Sequence, residues 1–252
     1  MLPDIPPTQL AAALDEVVLG LLAAGEMDGP PVDAFRVADA IGVLVARDDG
    51  QSGRARYVRL AGQPGKRHTA RDAPSILIRS DPRPERRQWA VAHELGEHLA
   101  HEVFARLAVD PIDAPPAARE AIANYLASRL LLPTHWFSAI SRTCDWALPN
   151  LKEAFVTASN ELIARRMLDF EPAACISIYD HGRLTCRWAN RPGRPPPPTF
   201  LERECQLAAH QSGKTVTKMG ELLRVRAWPI HEPDWKREIL RCEAPNPGFD
   251  GC

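Results

Sequence analysis

The run Trp89-Ala90-Val91-Ala92-His93-Glu94-Leu95-Gly96-Glu97-His98-Leu99-Ala100-His101 decides how the rest of the chain is read. It carries three histidines and two glutamates on one helical stretch that is apolar on its other side, and no other stretch gathers metal-capable side chains so closely. Take about 100° per residue with His93 at zero. Glu97 then falls near 40°, His101 near 80°, Glu94 near 100° and His98 near 140°.

His93 and Glu97 therefore share a face one turn apart, about 6 Å along the axis. The H-E-x-x-H motif of zinc proteases sets two ligands on one ion in this way. Here the i+4 position holds Glu97, and the second histidine stands one place further on, at His98. Three readings follow. Glu97 replaces the histidine as ligand, with Glu94 in the general-base position. Alternatively His98 binds metal together with Glu94, an i,i+4 pair about 40° off the first face. In the third, no metal binds and the cluster is a solvated polar face.

The chain has 252 residues, enough for one large domain or two small ones. Hydrophobic residues make up 45% and charged residues 25%, an ordinary balance for a globular protein. A formal net charge of −1 supplies no general attraction to nucleic acid or membrane. The six cysteines are scattered without a C-x-x-C spacing, which argues against a zinc knuckle and for a reducing compartment. The first residues lack the basic start and apolar run of a signal peptide, and no stretch reaches the ~18 apolar residues of a membrane span. A cytoplasmic protein is expected.

Around the central run, residues 8–24 read as a helix ending at Gly25, and residues 34–41 as a second helix capped by Asp33. Val43–Ala46, Ala55–Leu60 and Ser75–Ile78 read as short strands, and residues 61–72 as a polar, basic loop. In zinc peptidases the edge strand of such a sheet can pair with an extended substrate. Downstream, Pro115 and Pro133 bracket a helix with Ile122, Leu126, Leu130 and Leu131 on its apolar stripe. Glu120 and Asn124 share a face of that helix. By itself the pair is a solvent face. Beside the first helix it can add a third carboxylate ligand, with Asn124 orienting it, and leave a position open for water.

These two segments together resemble the ImmA/IrrE family of metallopeptidases, which are gluzincin-like and act on phage-type or stress-response repressors. The similarity lies in Arg86-Arg87-Gln88-Trp89-Ala90-Val91-Ala92-His93-Glu94-Leu95-Gly96 and in Glu120 to Pro133, against a family pattern near E-x-x-A-N-x-x-A-x-x-L-L-x-P. It covers about residues 8–170. The resemblance implies that His93, the i+4 residue Glu97 and Glu120 hold Zn²⁺ and that Glu94 activates water. Most members have His where this chain has Glu97. A His/Glu/Glu set is more anionic than His/His/Glu, acidifies water less and favours harder ions such as Mn²⁺ or Fe²⁺. Reduced activity, another preferred metal or a non-catalytic sensor is therefore expected.

Beyond Pro133 a further helix carries Trp136 and Phe137, read as core. Residues 148–155, 156–159 and 160–168 then read as helix, turn, helix, with Arg165 and Arg166 as the only basic cluster of the segment. A helical hairpin packed on the peptidase unit is the favoured reading of them over a DNA-binding motif. Residues 174–179 and 184–188 form a hairpin turning at Gly182. Thr199 and Glu202 make a capping box for a helix running to Gln211. Residues 222–228 and 238–242 look like further strands. His181, His210 and His231 read as isolated surface residues, and 245–252 as disordered.

The expected fold is α+β: a zincin-like mixed unit with two metal-site helices and a small sheet (1–135), a helix-turn-helix-like segment (136–170) and a small α/β sensor-like or docking domain (171–252). The expected function is that of a metal-dependent endopeptidase cleaving a regulatory protein, a transcriptional repressor by family habit. Glu94 activates water, and Tyr125 is a candidate for oxyanion support. The alternative is a non-catalytic regulator of the same fold that binds a repressor or DNA. No membrane partner is expected.

Overall fold

The computed structural model describes residues 5–50, 53–59, 74–112, 114–170 and 172–244. The expected loop at 61–72, Leu60 and the expected disordered end at 245–252 lie outside them. The fold is α+β, with helices and two separate sheets. The chain divides into two units: one is the chain up to Cys144 with Lys152–Ser159, the other is Asp145–Leu151 with the chain from Asn160 on. The segment 136–170 is shared between them.

In the first unit, α1 (Pro7–Ala24) buries Ala13, Leu14, Val17, Val18, Leu21 and Leu22, an i, i+4 stripe. By length and composition α1 could cross a membrane, contrary to the expectation that no stretch could. Its buried stripe packs within the first unit, however, and its Asp15 accepts a 2.7 Å hydrogen bond from Thr134 and faces Arg129 at 3.4 Å. In α2 (Ala34–Ala40), Asp33 caps the N-terminus by accepting from the Phe35 N–H at 3.0 Å. Strands β1 (Leu44–Arg47), β2 (Ala55–Arg59) and β3 (Pro74–Ile78) form a sheet in the order β1-β3-β2, with β1 parallel and β2 antiparallel to the central β3. β2 is thus an edge.

Helix α3 (Pro84–Arg106) starts with proline at its first position and buries Val91, Leu95, Leu99 and Val103 at helical spacing. Gln88 fixes its approach to α2: its side chain accepts from the Ala34 N–H at 2.7 Å and donates to Asp33 at 2.9 Å. Helix α4 (Pro116–Leu131) buries Ile122, Leu126, Leu130 and Leu131 as the sequence predicts. Helix α5 (Thr134–Thr143) puts Phe137 fully inside, 5.5 Å from the Phe155 ring.

Helices α6 (Leu148–Ala154) and α7 (Asn160–Arg166) follow. The basic pair on α7 is not a free patch. Arg166 is buried, ion-paired with Asp169 and stacked on Phe170, and Arg165 lies over the Trp188 ring.

The second unit is built on an antiparallel sheet of β4 (Ala174–Asp180), β5 (Arg183–Ala189), β6 (Val216–Met219), β7 (Arg224–Glu232) and β8 (Trp235–Glu243), ordered β5-β4-β8-β7-β6. The β4–β5 turn places His181 and Gly182 at φ 50° and 75°, the two positive values of a type I′ turn. Helix α8 (Phe200–Ser212) carries the capping box of Thr199 and Glu202, ends at Gly213 with φ 63°, and packs with Cys205 and Ala209 on Val225, Ala227, Leu240 and Cys242. Sequence reading missed β6, whose polar Thr217 and Lys218 lie on an edge. The two strands expected at 222–228 and 238–242 are present but longer: β7 and β8 form one hairpin that pairs out to Glu232 and Trp235 across a Pro233–Asp234 turn.

Candidate metal centre

The site forms where α3 and α4 touch. Gly96 makes this possible: a Cβ there would lie 2.6 Å from the Ala123 carbonyl oxygen and 2.9 Å from its Cα. A glycine inside a helix permits such close approach of another backbone. Glu120, one turn before Asn124 on α4, is thereby carried to the face of α3 that bears His93 and Glu97.

His93 Nε2 lies 3.8 Å from Glu97 Oε1 and 3.7 Å from Glu120 Oε2. The three ligand atoms are within 4.8 Å of one another. The histidine–carboxylate gaps are too long for hydrogen bonds. They are close to the roughly 3.4 Å separating two donors around a tetrahedral ion with bonds of about 2.05 Å. The donor set therefore fits a small divalent cation. His93 is mostly buried, whereas the carboxylates reach solvent. Asn124 donates to Glu120 Oε1 at 2.8 Å and to the Glu120 carbonyl at 2.9 Å, leaving Oε2 turned toward His93. His93 Nδ1 is buried without a hydrogen-bond partner among the described residues.

Glu94, next to His93 on α3, is buried, only 7% exposed. Burial, reinforced by the negative charge of Glu97, pushes its carboxyl above the ordinary glutamate range, while a hydrogen bond from the Tyr57 backbone N–H partly offsets this. The register explains the bond. Arg54 and Arg79 are joined by a ladder hydrogen bond, so Tyr57, opposite Ile76, belongs to a pair whose N–H and C=O point away from β3. The outward edge of β2 thus faces Glu94.

His98 stands outside the three-residue group. Its ring stacks on Tyr57 at 4.7 Å and meets His101 edge-on at 6.2 Å. Tyr57, Glu97, His98, His101 and Arg119 line a cleft of about 330 Å³ on this side. Tyr125 is exposed on α4. Sequence reasoning missed Tyr57, for which no local signal exists, and the packing role of Gly96, for which a lone glycine in an apolar helix was the signal.

His210 and His231 are not the isolated surface residues that the sequence suggests: both hydrogen-bond the buried Glu238. They lie apart in the chain, on α8 and β7, and meet only where that helix packs on the sheet. His181 remains at its turn, edge-on to Trp235.

No curated protein sequence matches the chain. Among solved structures, a chain titled "Mycobacterium tuberculosis transcriptional regulator" is similar, with a TM-score of 0.63 and 17% identity over 91% of this chain and 76% of that one. At that identity the likeness is one of fold. A family model, the IrrE N-terminal-like domain, matches residues 38–167, which include both site helices. The chain belongs to this Peptidase_M78 family of metallopeptidase-like proteins.

Proposed function

We propose that the protein is a metal-dependent endopeptidase, or a close derivative of one, that hydrolyses a peptide bond in a regulatory protein, a transcriptional repressor by family habit. The observation that carries this reading is the convergence of His93, Glu97 and Glu120 beside a buried Glu94, close enough for their charges to act on its carboxyl. Bound by those three side chains, Zn²⁺, or a harder ion such as Mn²⁺ or Fe²⁺, supplies Lewis acidity toward a carbonyl and a water.

The remaining work falls to the chain. Glu94 is the base: it takes the proton from the attacking water and passes it to the leaving amine. Burial raises its proton affinity above that of an ordinary glutamate, in the direction that helps it hold the transferred proton. The Tyr57 N–H keeps the carboxylate oriented. The Tyr57 carbonyl, on the same outward edge, is available in direction to an extended substrate adding to β2. Asn124 holds Glu120 in place. The unpartnered Nδ1 of His93 makes that ligand less basic than one backed by a carboxylate.

A second reading rests on Glu97: a donor set weakened in this way suits a non-catalytic regulator that binds a repressor or DNA. Metal content and cleavage of candidate repressors, measured for wild type and Glu94→Gln, separate the two. The peptidase reading expects about one ion in this site for both proteins and cleavage by wild type alone. Salt-sensitive DNA binding that survives Glu94→Gln, without cleavage, would support the regulator instead.

A further inference from the structure

A second group of metal-capable side chains lies in the C-terminal unit, on the face of the sheet covered by α8. His210 Nδ1 and His231 Nε2 are 2.8 Å and 2.7 Å from the same oxygen, Oε1 of Glu238. The other oxygen, Oε2, accepts from Gln206 at 3.0 Å. Three elements build the cluster. His210 sits in the last turn of α8, one residue after the core residue Ala209. In the β7–β8 ladder His231 pairs with Lys236 and Pro229 with Glu238, so His231 and Glu238 are diagonal neighbours on one face.

Burial grades across the group. The Glu238 side chain is 0% exposed, whereas the His210 and His231 side chains are 27% and 22% exposed. A carboxylate withdrawn fully from water must be compensated. Gln206 satisfies the inner oxygen. The outer oxygen is met by two imidazoles whose rings stand edge to face, 5.9 Å between centroids, at the solvent rim. The three ligand atoms lie within 4.8 Å of one another. Two imidazole nitrogens and one anchored carboxylate oxygen, open on one side to water, form a donor set of the kind that binds zinc.

The geometry points to a second metal site, formed by His210, His231 and Glu238, for a divalent first-row ion of the zinc class. It is distinct from the His93 group in composition as well as position. Two imidazoles and one carboxylate discriminate for Zn²⁺ or Co²⁺ over Mn²⁺ more strongly than one imidazole and two carboxylates do. The 2.7 and 2.8 Å gaps are hydrogen-bond distances, so to bind an ion each imidazole presents a bare nitrogen at the carboxylate side, keeps its proton on the other ring nitrogen and draws back from Oε1 toward a donor separation of roughly 3.4 Å. Gln206 orients the carboxylate from behind, as outer partners of metal ligands do. Occupancy ties the end of α8 to the β7–β8 hairpin, so the ion stabilises the folded unit.

The competing account is a hydrogen-bond network with no ion, and conservative amide variants distinguish the two. His210→Asn places an amide donor near the Nδ1 position and His231→Gln one near the Nε2 position, so Glu238 keeps its donors while both imidazoles are lost. The measurement uses the full chain carrying His93→Ala, stripped with chelator, then titrated with Zn²⁺ by equilibrium dialysis and with Co²⁺ by its ligand-field absorption. The proposal expects about one equivalent bound, a Zn²⁺-dependent rise in Tm, and at least tenfold weaker binding when His210→Asn and His231→Gln are added. His210→Asn alone, at the rim, gives the same loss if the double change fails to fold. No uptake by the His93→Ala chain, or uptake unchanged by the amide substitutions, overturns it.

Discussion

Gly96 and Ala123 touch backbone to backbone: a Cβ at Gly96 would sit 2.6 Å from the Ala123 carbonyl oxygen. The approach that this glycine allows sets the distance between the helix carrying His93 and the helix carrying Glu120. Gly96→Ala would gain about 0.5–1 kcal/mol of helix propensity. The obstruction is backbone, so the helices must part, at about 1–3 kcal/mol for overpacking. The overpacking wins. Lower Tm and weaker metal retention are expected together. A variant with unchanged metal affinity would show that helix separation does not govern the site.

Glu94→Gln tests the buried carboxyl. The folded state raises its proton affinity above that of the unfolded chain. Below the unfolded value both states are protonated and nothing is lost. As pH rises through the folded value, the native state must carry a buried charge and stability falls. In chelated protein Glu94→Gln is therefore expected to be more stable than wild type at neutral pH, with the gap closing in acid. Denaturant titrations across pH measure it, and a gap that widens in acid would contradict the burial argument. Cleavage, by contrast, should fall about 10²–10⁴-fold with loss of the base.

Glu97→His converts the motif to H-E-x-x-H and removes one negative charge from the donor set. Preference is expected to move toward Zn²⁺ and away from Mn²⁺, with any cleavage activity rising. Glu97→Ala should release the ion, whereas His98→Ala should not, because His98 stacks on Tyr57 outside the group. Metal analysis of chain carrying His210→Asn and His231→Gln, purified without chelator, gives the answer. Loss of the ion only with His98→Ala would reverse the ligand assignment.

Glu202 combines two roles. It closes the capping box with Thr199 and pairs at 2.7 Å with Arg187, the two side chains being 1% and 10% exposed. Removing one partner of a buried pair leaves the other charge uncompensated, at about 3–5 kcal/mol. Glu202→Ala, which also loses the cap, is expected to cost more than Arg187→Ala. Arg187 also donates to the Pro196 carbonyl and the Ser177 hydroxyl, so Thr199→Ala isolates the cap, and an unchanged Tm in that variant would indicate that the capping box contributes nothing.

Much of the first site was legible because helical periodicity is local. Spacing alone put His93, Glu94 and Glu97 on one helix, and a two-motif resemblance added Glu120. Proline and glycine punctuation placed the helices, and Thr199 with Glu202 announced α8. Strand partners have no such local rule. The single β7–β8 hairpin and β6 appeared only once pairing was known.

The sequence by itself determined which side chains share a helix face, because that follows from the turn of one helix. Only the tertiary structure decided which face meets which. It joined Glu97 rather than His98 to His93 and Glu120, and set the Tyr57 N–H on Glu94. It also gathered His210, His231 and Glu238 from a helix and two strands. Those meetings depend on close packing at Gly96 and on the register of two sheets. Both are set by the whole chain burying its apolar surface, and no short window of residues contains them.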